Sequence, residues 1–141
     1  MRNIAAMLSA FLCLAVAGTA VHASDAEQIK AIDAAFERQD EDVIKLLMTT
    51  DHIAVTPYYD EPQSVTQMLA SLKQLKIAQT KVFQTNIMLL GTDVVLRTSI
   101  ANFAETFKGK PLPSRMFVTE VVVKRDGQWL ERLYQATTLK P

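Results

Sequence analysis

The sequence predicts an α+β fold in which three N-terminal helices pack in a strongly curved antiparallel sheet. Apolar residues recur at helical spacing in the first half of the chain, whereas the part after Thr80 consists of long strand-like segments separated by turns. Because helices and strands are segregated along the chain, the helices are expected to cover one face of the sheet. A length of 141 residues, without an internal repeat or a linker, predicts one domain.

Three helices are predicted from apolar spacing and from residues that favour helix starts. The first covers residues 25–38, where apolar residues recur at helical spacing. A second, short helix starts at residues 40–42, because acidic side chains are favourable near the positive end of the helix dipole. Ser64 and Gln67 form a capping box, and a third helix is expected from there to about Lys76.

Five strands are predicted, one between the second and third helices and four after the third. Residues 49–51 are expected to end the second helix, so that the first strand starts at His52. Asp126 and Gly127 form the sharpest turn signal in the chain and predict a tight hairpin. The expected strands cover residues 52–56, 81–90, 94–107, 115–124 and 128–139.

Residues 1–23 are predicted to be a secretory signal peptide. Arg2 supplies a positive charge, residues 4–17 are almost entirely apolar, and small residues follow at cleavage spacing. Cleavage is expected after Ala23, with Ala20 as the alternative. A membrane span needs about 18–20 apolar residues, which is more than this stretch contains. The mature protein is therefore expected to be periplasmic or secreted, with no membrane attachment.

The expected mature chain, residues 24–141, has 14 basic and 15 acidic side chains, no cysteine and one histidine. Cys13 lies in the signal peptide behind a bulky Leu12, which does not fit a lipoprotein cleavage site. Disulfides, thiol nucleophiles, Cys-based metal centres and multi-histidine metal sites are then excluded, so neither a metal nor a cofactor is expected. Balanced charge also excludes the basic surface typical of nucleic-acid binding.

Several short motifs follow one another in a specific order along residues 25–139. They are the helix junction at residues 39–40 with Val43 and Leu46, the strand at 51–55, the hairpin at 122–129 and the segment 134–137. Together with the element order helix, helix, strand, helix and four strands, these motifs resemble the nuclear transport factor 2-like (NTF2-like) superfamily, with its SnoaL-like and ketosteroid-isomerase-like members.

The resemblance implies a cone, in which a strongly bent sheet wraps over the helices and the open end is a pocket. It also implies a homodimer that forms through the sheet. The superfamily includes isomerases, dehydratases, polyketide-cyclase-like enzymes and many members without enzymatic activity. Membership in such a fold therefore does not define a function.

The enzyme activities of the superfamily find little support in the residues of this chain. Ketosteroid isomerase needs a carboxylate base, a phenol and a protonated acid, and these positions fall on Thr56, Ile32 and Phe117. None of these three side chains can perform that chemistry. A histidine-based dehydratase is also disfavoured, because His52 is the single histidine of the mature chain. His52 is expected to be hydrogen-bonded or solvated at the start of its strand.

Glu120 is the strongest candidate for a catalytic residue. It lies between apolar neighbours in a strand, so a position facing the cone would raise its pKa and suit acid–base chemistry. The alternative is an exposed position opposite a lysine or arginine. Arg97 is expected to face solvent or a dimer partner, with an anion-binding role in the pocket as the alternative. The residues expected to contact a ligand are Thr56, Tyr58, Phe117 and Glu120.

Three hypotheses for function follow from these residues. The first is a module that binds a small apolar or amphipathic ligand, because the expected cone has apolar walls and few polar groups. The second is a cofactor-free lyase or isomerase that uses Glu120 with Tyr58 or Thr56. The third is a dimeric structural or interaction protein whose sheet face binds a partner.

Overall fold

The computed structural model describes residues 23–140, and within them the side chains of all but residues 23, 77–80 and 105. Apart from its last residue, the predicted signal peptide lies outside the described residues. No helix within residues 23–140 is long and apolar enough to cross a membrane.

Three helices form close to the predicted positions. They are α1 (Ala23–Glu37), α2 (Glu41–Leu47) and α3 (Val65–Leu72). The side chain of Asp40 caps α2 by accepting a hydrogen bond from the backbone N–H of Val43 at 3.2 Å. Each helix is short, so its position depends mainly on packing against the sheet.

The predicted capping box at the start of α3 is confirmed. The backbone N–H of Ser64 donates to Gln67 Oε1 at 2.9 Å, and the Ser64 hydroxyl accepts from the backbone N–H of Gln67 at 3.4 Å. These two bonds satisfy backbone donors that a helix start otherwise leaves without partners.

Seven strands form one sheet in the order β2-β1-β7-β6-β4-β3, with β5 paired to β4 at the side. All neighbouring pairs are antiparallel except β1 and β7, which are parallel. The strands are β1 (Met48–Val55), β2 (Gln63–Ser64), β3 (Leu75–Leu89), β4 (Val94–Phe107), β5 (Lys110–Pro111), β6 (Arg115–Arg125) and β7 (Gln128–Thr138). The predicted α+β architecture is therefore confirmed.

Two predicted boundaries are wrong, because β1 and β3 both begin earlier in the chain than predicted. Residues 49–51 belong to β1 rather than to the end of α2, because β1 begins at Met48, where it pairs with Glu131 of β7. The third helix ends at Leu72 rather than near residue 76, because β3 already pairs with β4 from Leu75 onward. In both places the backbone finds hydrogen-bond partners in a distant strand.

Irregular pairing bends the sheet around the helices. The register of β3 against β4 shifts twice, and Gln84 at the second shift has a positive φ of 53°. A further shift occurs in β7 opposite Val121 and Val122. Such bulges add local bend and twist to a strand, and here they curve the long strands over one side of the molecule.

The main core lies between the helices and one face of the sheet. Helix residues such as Ile32 and Ile44 pack with Val95, Val122 and Trp129 of the sheet in one buried cluster. Because neighbouring strand residues point to opposite faces, only alternate residues of each strand reach this core. We call the face that packs on the helices the inner face and the opposite one the outer face.

Replacing Ser64 by alanine should lower the free energy of unfolding by about 1 kcal/mol, because one side of the capping box is lost. Urea denaturation followed by circular dichroism measures this change. Thr66→Ala is the matched control, since Thr66 is exposed in the first turn of α3 and does not cap it; we expect less than about 0.5 kcal/mol there. Equal effects of both substitutions would show that the cap contributes nothing.

Candidate functional site

A cavity of about 460 Å³ lies between the helices and the inner face of the sheet. Residues of α1, α3, β1, β3, β4, β6 and β7 line it. Most of its wall is apolar, with contributions that include Ile29, Phe36, Met68, Leu72, Ala101 and Val118. At its opening Lys30, Glu37, Thr85 and Ile87 are exposed. The molecule therefore encloses an apolar space of the size that small-molecule sites occupy.

A buried ion pair lies in the wall of this cavity. Arg97 on β4 and Glu120 on β6 are directly opposite each other in the sheet register, and they are 8% and 6% exposed. Arg97 Nε donates to Glu120 Oε2 at 2.7 Å, and Arg97 Nη2 donates to Glu120 Oε1 at 2.5 Å. One edge of the guanidinium is thus occupied by a carboxylate in a two-bond contact.

A second carboxylate, from α1, occupies the other edge of the same guanidinium. Arg97 Nη1 donates to Asp33 Oδ2 at 2.8 Å, and Nη2 donates to Asp33 Oδ1 at 2.5 Å. The Asp33 side chain is 49% exposed, so it joins the buried pair to the solvent side of the cavity. Four guanidinium N–H groups of Arg97 therefore donate to carboxylates. We call Asp33, Arg97 and Glu120 the carboxylate–arginine triad.

The triad changes the proton affinity of its members. Burial raises the pKa of Glu120 to about 7; the charge of Glu131 acts in the same direction, and the hydrogen bonds and charge of Arg97 oppose it. Burial also opposes ionisation of Arg97, but its hydrogen bonds to Asp33 and Glu120 outweigh burial and raise the pKa of Arg97. Arg97 thus stays charged, while Glu120 binds a proton more tightly than an ordinary glutamate does.

A further acidic residue outside the triad, Glu131 on β7, also lines the cavity. It is buried, and its Oε1 lies 3.0 Å from Nε2 of His52, which is buried as well. Among the described residues, His52 Nδ1 has no hydrogen-bond partner. This pair connects β1 to β7 across the parallel part of the sheet. His52 is therefore hydrogen-bonded within the core instead of being solvated at the start of a strand.

Thr56 lies in the wall of the cavity, and its hydroxyl is buried. It follows β1 directly, lines the cavity and is 6% exposed. Within the described part of the chain, its Oγ1 has no hydrogen-bond partner. A buried hydroxyl without a partner costs free energy, and a polar group of a bound molecule would remove that cost.

An aromatic cluster borders the cavity at the loop after β1. The ring centroids of Tyr58 and Tyr59 are 4.8 Å apart, and each ring lies within 5.7 Å of Phe107. The Tyr59 hydroxyl is hydrogen-bonded to Ser71 Oγ of α3 at 3.1 Å, and burial raises the pKa of Tyr59. These contacts hold the two tyrosines, both of which line the cavity, in defined positions.

The structure places three of the four expected ligand-contacting residues around one cavity. Thr56, Tyr58 and Glu120 all line it. Phe117 does not, and that expectation is wrong. It lies on β6 between Met116 and Val118, which are buried, so it points to the outer face and is 38% exposed.

The predicted environment of Arg97 is also wrong. The face that it shares with Val95, Ser99 and Ala101 is the inner face, where all four residues are buried, and not a solvent or dimer face. These four residues do share one face of β4, as predicted, but the helices cover that face. The partner of Glu120 is indeed a cross-strand arginine, although both residues are buried instead of exposed.

Two further acidic residues of the cavity, Asp33 and Glu131, were not identified from the sequence. The signal for Asp33 is its spacing, because it follows Ile29 by four residues and precedes Phe36 by three, which places it on the apolar side of α1. Glu131 follows the buried Trp129 at strand spacing. Both signals consist of a charged residue at a position where the pattern calls for an apolar one.

The described residues offer no obvious metal site. No group of three or more histidine, cysteine, aspartate or glutamate side chains within the described part of the chain is arranged to hold a metal ion. Three of the acidic groups that line the cavity, Asp33, Glu120 and Glu131, instead contact Arg97 or His52. The chemistry available at the site is hydrogen bonding, charge and proton exchange on Glu120.

Comparison with known proteins places this geometry in a known fold. No protein-family model matches the chain, and no curated protein does either. Among solved structures, an NTF2-like protein from Cytophaga hutchinsonii has a TM-score of 0.74 at 15% identity, covering 84% of this chain and 100% of that one. An NTF2-like protein of unknown function in nutrient uptake from Rhodospirillum rubrum has a TM-score of 0.73 at 15% identity, covering 82% and 98%.

A ketosteroid isomerase-like protein from Erwinia carotovora atroseptica is similar as well, with a TM-score of 0.62 at 15% identity and coverage of 83% and 95%. At these identities the similarity establishes the fold and not the activity. The chain has the NTF2-like fold, as the order of its sequence motifs predicts.

Proposed function

We propose that the cavity binds a small amphipathic molecule, with an apolar body and one polar group. The observation that supports this most directly is a mostly apolar cavity of about 460 Å³ whose wall holds a few buried polar groups, among them a charged centre. That centre consists of the carboxylate–arginine triad, and the unpartnered hydroxyl of Thr56 adds a further polar group. Ligand sites in proteins combine a mostly apolar lining with a few placed polar groups in this way.

A second candidate function is acid–base chemistry on Glu120, in a cofactor-free lyase or isomerase. The observation in its favour is that Glu120 lines the cavity and that burial raises its pKa to about 7. A base with such a pKa is well matched to proton transfer at neutral pH. Tyr58 or Thr56 would assist, since both line the same cavity. Against this function, both oxygens of Glu120 already accept hydrogen bonds from Arg97.

Export and dimer formation remain proposals. Residues 1–23 support export to the periplasm or the exterior, through the signal-peptide pattern described above. The outer face supports a homodimer, because an apolar row crosses five strands there. The row consists of Met88, Leu96, Val121, Leu133 and Ile53, each paired with the next in register.

The residues of this apolar row are available for a partner. Met88 and Ile53 are exposed, Leu96, Val121 and Leu133 are partly exposed, and none of the five belongs to either buried cluster. A contiguous apolar patch of this kind typically marks an interaction surface. A second copy of the chain is the proposed occupant, since the NTF2-like resemblance implies a dimer through the sheet.

Ligand binding should be detectable with N-phenyl-1-naphthylamine, a neutral apolar dye whose fluorescence increases in apolar sites. We expect saturable binding to the wild-type protein. Thr85→Trp should reduce it strongly, because Thr85 is exposed at the opening of the cavity and a larger side chain would obstruct entry. Asn86→Trp is the matched control, since this exposed neighbour pairs with Thr98 on the outer side. Equal binding by both variants would contradict a ligand site in the cavity.

Acid–base chemistry should appear as exchange of ketone α-protons with solvent deuterium, followed by NMR with cyclohexanone. If Glu120 is a base, the rate should rise as pH increases through about 7, because ionised Glu120 removes the proton. Glu120→Gln should reduce exchange to the buffer rate while its circular dichroism stays native. Glu41→Gln, which changes an acidic residue outside the cavity, should behave as the wild type. Exchange at the buffer rate in the wild type would count against this candidate.

Native mass spectrometry of the protein purified from its own host tests export and assembly together. We expect a mass of two chains that each start at Ser24. Val121→Glu should give single chains, because it places a charge in the centre of the apolar row. Lys45→Glu, on the exposed side of α2, should leave the dimer intact. A wild-type monomer would contradict the dimer, and a chain that retains Met1 would contradict cleavage and export.

A further inference from the structure

More acidic than basic side chains line the cavity. Four acidic and two basic side chains line it within the described residues, namely Asp33, Glu37, Glu120, Glu131, Lys30 and Arg97. Lys30 is largely exposed and donates to Glu27 on α1 at 3.1 Å, so its charge is already partly balanced outside the cavity. With its carboxyl groups ionised, the lining carries an excess of negative charge.

Arg97 does not offer this cavity a free positive group. A buried arginine in a ligand cavity ordinarily indicates an anion-binding site, since two N–H groups of one edge match a carboxylate or a phosphate. Here the edge formed by Nε and Nη2 donates to Glu120, and the edge formed by Nη1 and Nη2 donates to Asp33. Both edges that could bind an anion are occupied by carboxylates of the protein itself.

Asp33 retains hydrogen-bond acceptors that point away from this contact. Each carboxylate oxygen has two lone pairs, and Arg97 takes one on each oxygen of Asp33. The Asp33 side chain is 49% exposed and lines the cavity, so a donor on a ligand can reach it from the cavity side. An ammonium group, which donates and carries positive charge, matches these free acceptors.

Aromatic rings line the same cavity and favour the same kind of ligand. Phe36, Tyr58, Tyr59, Phe103 and Tyr134 all belong to its wall. The face of an aromatic ring attracts a cation, and rings together with carboxylates are the usual surroundings of bound alkylammonium groups. The rings also supply apolar surface for the hydrocarbon part of such a molecule.

We propose that the polar group of the ligand is a cation, and that the cavity takes an amphipathic amine or quaternary ammonium compound and discriminates against carboxylate amphiphiles. The ammonium group would contact Asp33 at the edge of the triad, and the hydrocarbon part would fill the apolar cavity. This inference rests on the proposed ligand-binding function and specifies the chemical class of the ligand.

The test compares three probes with the same hydrocarbon chain: decylamine, decanol and decanoic acid. Each is titrated against the full-length mature protein at pH 7.5, and displacement of N-phenyl-1-naphthylamine reports binding. We expect decylamine to displace the dye at a concentration about tenfold lower than decanol, because attraction to Asp33 and the rings adds to burial of the chain. Decanoic acid should be weaker than decanol.

Asp33→Asn provides the decisive variant, because it removes the exposed negative charge of the triad and leaves Arg97 with one carboxylate partner instead of two. The order should then reverse, with decanoic acid binding better than decylamine. Asp33 is half exposed, so this substitution is expected to leave the fold intact, which circular dichroism verifies. Glu41→Gln, which removes an acidic group outside the cavity, should keep the wild-type order.

The outcomes separate this inference from the function on which it rests. Binding of the dye and of decanol, with decanoic acid equal to or better than decylamine, would overturn the cation preference and leave the ligand site in place. Failure of the dye and all three probes to bind would overturn both. Preference for decylamine in the wild type and its reversal in Asp33→Asn would support the proposal.

Discussion

The hydrogen bonds of Arg97 to two carboxylates are the interaction on which the arrangement of this protein depends. They join α1, β4 and β6 through Asp33, Arg97 and Glu120. Arg97 and Glu120 form the buried part of this contact, and removing one partner from a buried ion pair costs about 3–5 kcal/mol in measured cases; Asp33 is half exposed, so its removal should cost less. The polar centre of the cavity, the proton affinity of Glu120 and one polar contact of α1 with the sheet therefore all involve Arg97.

Because side chains alternate between the two faces of a strand, the same strand contributes to the cavity and to the outer face. On β6, Val118 and Glu120 face the cavity, while Phe117 and Val121 lie on the outer face. On this strand the cavity wall and the apolar row of the outer face are thus built from adjacent residues without sharing any. Substitutions can therefore change one surface while leaving the other in place, even when they are neighbours in sequence.

Local signals predict the order of the three helices and the five long strands but not the two-residue strands β2 and β5, and non-local pairing accounts for what they miss. The capping box at Ser64 depends on residues close in sequence, and it is observed as predicted. Residues 49–51 lie in a strand because β7 is beside them. The two carboxylates that pair with the buried Arg97, Asp33 and Glu120, are 64 and 23 residues away from it in the chain. A single sequence shows such residues but not their partners.

The central position of β7 makes the sheet depend on contacts between segments that are far apart in the chain. β7 lies between β1 and β6, and its Glu131 meets His52, 79 residues earlier in the chain. Until β7 is in place, β1 can pair only with the two-residue β2, and the sheet remains open along its middle. Contacts between such distant segments slow folding. The two parts of the sheet therefore join only when β7 lies between β1 and β6, and a chain without β7 would lack the strand that connects them.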